Sequence, residues 1–153
     1  MIGRGAIAAG GMILVVCAAW AASQESASHG ENRQLCEKIV RKVVEGKPEA
    51  AFAALEPRCV IPKGTLQPVR EQTIQKLADA RKAFGTIIGF DLIKEERVRD
   101  FAHRLTYVTR YERMAVRWSF DFYRPRRNRE WVITGFSWDP GVEPLYVEVQ
   151  RPG

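Results

Sequence analysis

The side chains most able to bind or react are concentrated in one stretch, "WSFDFYRPRRNREWVITGFSWD" (residues 118–139), with three of the chain's four tryptophans and four arginines around Pro125. If Arg124, Arg126, Arg127 and Arg129 converged, they would form a candidate anion contact, since guanidinium forks match carboxylate and phosphate oxygens. Spread around a hairpin loop, they would instead be solvated. A loop over residues 125–129 places Phe122 opposite Trp131, Phe120 opposite Ile133 and Trp118 opposite Gly135, where a large ring covers the missing side chain. That register puts the tryptophans in the core and the arginine loop in water. It also turns Phe136 and Trp138 away from the core rings, with Phe136 opposite Arg117, and such outward aromatics mark contacts with another chain. Arg117, Phe136 and Trp138 are therefore the candidate contacts of a homodimer.

Other reactive types are sparse. The chain has two histidines. His29 lies in a small, polar leader, and His103, in "RDFAHR", reads as a turn residue, because a general base also needs a partner and a pocket. No Ser/His/Asp arrangement, no clustered His, Cys or acid set with metal spacing and no phosphate-cradling glycine loop is present. No catalytic residue, metal or cofactor is expected from these patterns.

The first residues, "MIGRGAIAAGGMILVVCAAWAASQES", place Arg4 ahead of an uncharged run that ends in small residues, the order of a secretory signal. Cleavage after Ala21 puts Ala19 and Ala21 at the small-residue positions, with Ser23 as the alternative. Lipid anchoring at Cys17 is disfavoured by Val16, and a span is disfavoured by the shortness of the run and by Gly10 and Gly11. The organisation expected is a signal peptide over 1–21, a flexible leader over 22–30, one domain over 31–139 and a tail over 140–153 that can add an edge strand through "LYVEV". An exported chain, periplasmic or extracellular, leaves Cys36 and Cys59 as the intramolecular disulfide pair. The net charge of +6 points weakly to acidic partners. After Lys94, however, every basic residue is arginine, which reads as composition bias rather than a phosphate-binding face. No nucleic-acid partner is expected, nor a stable membrane span once the signal is removed.

The elements that must carry these residues follow from period. In "ENRQLCEKIVRKVVEG" Leu35, Cys36, Ile39, Val40, Val43 and Val44 form one helical stripe that Gly46 ends. Pro48 opens a short second helix, and a third runs over 66–84 with Val69, Ile74, Leu77, Ala78, Arg81 and Phe84 inward and Gly85 as its stop. The period then becomes two: Ile88, Phe90 and Leu92; Leu105, Tyr107 and Tyr111; Trp118, Phe120 and Phe122; and a last strand from Trp131 to Trp138. The fold class is α+β, three N-terminal helices packed on a bent antiparallel four-stranded meander sheet.

With "EGKPEAAFAALEP", "TIIGFDLIKEERV", "RLTYVTRYER" and the final hairpin, residues 31–139 resemble the NTF2-like (cone-shaped, SnoaL/cystatin-like) superfamily, and within it the small exported bacterial proteins without assigned activity. The resemblance implies a cavity between helices and sheet, with Tyr107, Tyr111 and Glu96 as candidate lining, and dimers made sheet to sheet. It implies shape and hardly any chemistry. The function expected is a non-catalytic exported domain that binds a small apolar ligand or a protein partner. The alternatives are an isomerase or hydratase working in the cavity, and adhesion to anionic envelope material through the arginine loop.

Overall fold

A computed structural model describes the backbone over residues 13–141 and Tyr146, and side chains from His29 onward. The order is α1 (Ile13–Val44), α2 (Pro48–Leu55), a 3-10 turn at Glu56–Arg58, α3 (Lys63–Phe84), β1 (Ile87–Val98), β2 (Ala102–Tyr111), β3 (Ala115–Tyr123) and β4 (Val132–Pro140). The strands form an antiparallel open sheet in chain order, so the α+β class and the meander stand. Among the described residues no helix is long and apolar enough to cross a membrane. The expectations for residues 1–12, and the added tail strand apart from exposed Tyr146, lie outside the described residues.

The expected flexible leader is corrected. Residues 22–30 are helical and continue α1. Their Ala, Gln and Glu are good helix formers, and no glycine interrupts them before Gly30. The inward stripe of α1 consequently begins earlier than the apolar residues suggest: His29, Asn32, Cys36, Ile39, Val40 and Val43 are all buried. The helix ends at Gly46, where φ is +75°, and α3 ends at Gly85, where φ is +88° and the amide donates to Arg81 O at 3.0 Å. Both positions use the left-handed region that glycine enters without steric cost.

One core joins the elements. Cys36, Ile39, Val40 and Val43 of α1, Ala51, Phe52 and Leu55 of α2, and Leu66, Leu77 and Ala80 of α3 cluster with Leu105, Tyr107, Tyr111, Val116, Trp118, Phe120, Phe122, Trp131 and Ile133. In α3 the expected inward face is rotated. Thr73 and Ala80 are buried, whereas Val69, Ala78 and Arg81 are exposed.

Three register shifts set which strand residues join this core. In β1 the pairing skips Ile88 and again Ile93. Ile88, expected inward, is 65% exposed, and Ile87 takes its place against the core. In the last hairpin the expected register is corrected: Phe122 pairs with Ile133, Phe120 with Phe136 and Trp118 with Trp138. The loop is longer than residues 125–129, and Thr134 is an extra residue in β4 opposite the Asp121/Phe122 step. A bulge of one residue reverses the facing of everything beyond it. Phe136 therefore packs edge-on to Phe52 at 5.7 Å between ring centroids, and Trp138 stacks on Trp118 at 6.0 Å.

Candidate functional site

At one end of the sheet, the α1–α2 turn, α3 and the adjoining ends of β1 and β2 border a half-open cavity of about 290 Å³. Val43, Ile74, Leu77 and Ile87 make it apolar, and Tyr111, Arg81 and Glu49 supply its polar groups. Gly46 positions Arg81: a side chain at 46 would come within 2.5 Å of Arg81 Nη1, so the guanidinium lies over the C-terminal end of α1, where the helix dipole favours a cation. Among the described residues Arg81 has no carboxylate ion-pair partner. Tyr111 is buried edge-on to Phe84 at 6.1 Å. Burial pushes its hydroxyl above the ordinary phenol value, against an opposing pull from Arg81. The hydroxyl is therefore a neutral hydrogen-bonding group, not a base.

Tyr111 is thus the one candidate lining residue that faces this cavity. Tyr107 is fully buried within the core, and its hydroxyl donates to Arg33 O at 3.4 Å. Burial raises its pKa well above the usual range. Glu96 lines a different groove of about 320 Å³, with Arg104, Asp121, Tyr123 and Thr134. Its placement in the cone cavity is corrected, because the shift at Ile93 puts Glu95 rather than Glu96 on the face that carries Leu105 and His103, where Glu95 stays exposed to solvent. The groove's charges are already matched: Glu96 with Lys94 at 3.1 Å, and Asp121 with Arg104 at 2.5 Å.

Glu95 leads to the chain's second polar centre. His103, expected at a turn, lies in β2 with its side chain fully buried, and its Nε2 is 3.0 Å from Glu95 Oε1. Asn32 Nδ2 donates to His103 Nδ1 at 3.2 Å, which puts the ring's proton on Nε2, toward the carboxylate. His29 Nδ1 is 3.4 Å from the same Nδ1, and Trp131 lies against both rings at 5.2 and 6.0 Å. Burial lowers the His103 pKa, with Glu95 pulling the other way. Burial raises Glu95, but hydrogen bonds from Arg97 and His103 outweigh it and hold the carboxyl below its ordinary value. Apolar periodicity could not find this cluster. The signal available was the helical spacing of α1 carried upstream through two polar residues, Asn32 and His29.

The four loop arginines do not converge. Arg124 is buried, its guanidinium 4.5 Å over the Trp131 ring and its Nε–H donated to Asp100 O at 2.7 Å. Arg127 pairs with Asp100 at 2.5 Å, and that hydrogen bond holds the Asp100 carboxyl below its usual value. Arg126 and Arg129 are exposed. Arg124→Ala is expected to cost about 2–4 kcal/mol, combining a desolvated cation–π contact with a buried charged hydrogen bond. Arg126→Ala should change stability by less than about 0.5 kcal/mol. Urea denaturation of both variants checks the contrast, and equal costs would mean that Arg124 is as solvated as Arg126.

Of the candidate interface, Phe136 and Trp138 face the core and not another chain, and Arg117 donates to Asp139 Oδ2 at 2.7 Å. Their outward placement, the reason for the dimer contact, is corrected by the bulge at Thr134. Cys36 and Cys59 are both free thiols. Cys36 is buried under α1, which pushes its thiol well above the ordinary value, and Cys59 sits where the chain bridges in parallel to Ile133.

Fold and cavity together define a small α+β domain with three helices and an open four-stranded antiparallel sheet around a shared core. No family model, no curated protein and no solved structure matches the chain.

Proposed function

We propose that the domain is a non-catalytic binding module for a small, mainly apolar molecule bearing one acidic group. The observation that carries this reading is the apolar cavity between α1, α2, α3 and the sheet end, with Arg81 and the Tyr111 hydroxyl at its polar side. At about 290 Å³ it lies at the lower edge of ligand pockets, which run roughly 300–1,000 Å³, so the ligand is small. Arg81 takes the acid and Glu49 a hydroxyl or amine donor on the same molecule. An α+β chain with this sheet is compatible with the NTF2-like cone, and a cavity between helices and sheet is what that likeness implies. The leader pattern supports export, which would make the ligand a solute outside the cytoplasm. An isomerase or hydratase reading has less support, since the buried hydroxyl of Tyr111 is a poor base at neutral pH and Glu96 is elsewhere.

The test uses octanoate, octanol and octylamine as probes of the full chain, with binding followed by chemical-shift changes around Tyr111 and by the shift in Tm. Octanoate should bind best and octylamine worst. Arg81→Ala should remove that preference, and Ile74→Trp should block all three by filling the cavity. Equal responses to the three probes, or binding that survives Ile74→Trp, would overturn the reading.

A further inference from the structure

The chain has two histidines, and the fold brings them together from 74 residues apart. Both are almost fully buried, His29 at 3% and His103 at 2% exposure, with their Nδ1 atoms 3.4 Å apart. The Asn32 amide, three residues after His29 on the same face of α1, is 3.2 Å from His103 Nδ1. As a hydrogen-bond network this is crowded, because the single in-plane lone pair of His103 Nδ1 faces two neighbours.

The distances suit a different task. A tetrahedral cation bound at about 2.0–2.2 Å by nitrogen and oxygen holds neighbouring donors about 3.3–3.6 Å apart. Both measured separations lie close to that edge. The other nitrogen of His103 is held by Glu95 at 3.0 Å, the carboxylate–histidine arrangement that orients a metal-binding imidazole and raises its basicity. Trp131 covers both rings, and its own Nε1 is buried without a hydrogen-bond partner. No three of His, Cys, Asp and Glu gather as ligands among the described residues, so the donor set here is two imidazoles and an amide.

We propose that His29, His103 and Asn32 bind one zinc-class divalent cation, with Nδ1 of each ring and Oδ1 of the amide as protein ligands and water at the fourth position. Imidazole donors select zinc, nickel or copper over calcium and magnesium. The amide turns by half a rotation to present its oxygen, which occupies the same volume as its nitrogen. Each ring gives its Nδ1 lone pair to the cation and keeps its single proton on Nε2, so that His103 still donates to Glu95. Glu95 supplies the nearby negative charge. Arg97, bonded to Glu95, and Arg124, over Trp131, are the opposing cations.

Zinc chloride and, separately, cobalt chloride are titrated into the chelator-treated full chain. Long-range ¹H–¹⁵N spectra report on the imidazoles directly, because there are only two. One equivalent of zinc should move both Nδ1 signals to metal-bound positions, leave both Nε2 atoms protonated and raise Tm. Cobalt should give the absorption of a four-coordinate nitrogen and oxygen site. Glu95→Gln should weaken zinc roughly 10–100-fold, and His29→Gln or His103→Gln should weaken it further. The double variant Cys36→Ser, Cys59→Ser should bind as before. Imidazole signals unmoved by excess zinc, coordination through Nε2, or binding lost with the cysteines would each overturn the proposal and leave the cluster as a link between α1 and the sheet. If a histidine variant fails to fold, the spectra of the unaltered chain still decide.

Discussion

Alanine in place of Trp118 is expected to lower stability by about 3–5 kcal/mol, the range for a buried aromatic. The indole is 3% exposed, stacks on Trp138 and donates Nε1–H to Thr109 Oγ1 at 3.1 Å. Truncation therefore opens a cavity at the centre of the sheet, deprives the Trp138 ring of its partner and leaves a buried hydroxyl one bond short. Since small domains are stable by only about 5–15 kcal/mol, the loss is a large share of the total. Urea denaturation at equilibrium measures it. Trp118→Phe, which keeps the stack and removes the donor, should fall between the two. A cost for Trp118→Ala no larger than that for exposed Arg126 would mean that the ring is not in the core.

Deleting Thr134 and Gly135 together is expected to have a comparable effect, although Thr134 itself is exposed. Its Oγ1–H donates to Asp121 O at 3.3 Å, a bond whose loss alone would be modest. Its larger role, with Gly135, is to space Phe136 from Ile133. Removing it alone lets Gly135 take its place in a regular ladder, with Ile133 and Phe136 still both inward; removing Gly135 as well makes Phe136 follow Ile133 directly, and the strand's period of two then points Phe136 and Trp138 out of the core. Two large rings turned into water cost about 3–6 kcal/mol at roughly 1.5–3 each. Thr134→Ala keeps the count of residues and should stay within about 1 kcal/mol of the parent. Near-ultraviolet circular dichroism and urea midpoints of the two variants separate count from chemistry. If the double deletion is tolerated as well as the substitution, the number of residues between Ile133 and Phe136 does not set the facing of the rings.

Element types and their order were legible from local pattern. The helix stops at Gly46 and Gly85, the opening of α2 at Pro48 and the change from a period of three or four to a period of two after Gly85 all depend on neighbours a few residues apart. The burial of Trp118, Phe120 and Phe122 followed in the same way, because β3 carries no inserted residue in its pairing with β2. The helicity of residues 22–30 was not legible, since that segment offers small polar residues and no apolar stripe.

Tertiary pairing decided the faces at both ends of the sheet. A bulge at Ile93 puts Glu95 rather than Glu96 on the face beside His103, and a bulge at Thr134 exchanges an outward for an inward Phe136 and Trp138. The odd spacing from Ile133 to Phe136 is compatible with two different registers, and a bulged residue leaves no mark in composition. Its presence is settled by which register buries the most apolar surface against the partner strand, and that sum runs over residues far apart in the chain. The meeting of His29 and His103 has the same origin: each is an isolated polar residue in its own segment, and only the docking of α1 against the β1–β2 pair brings their nitrogens within reach.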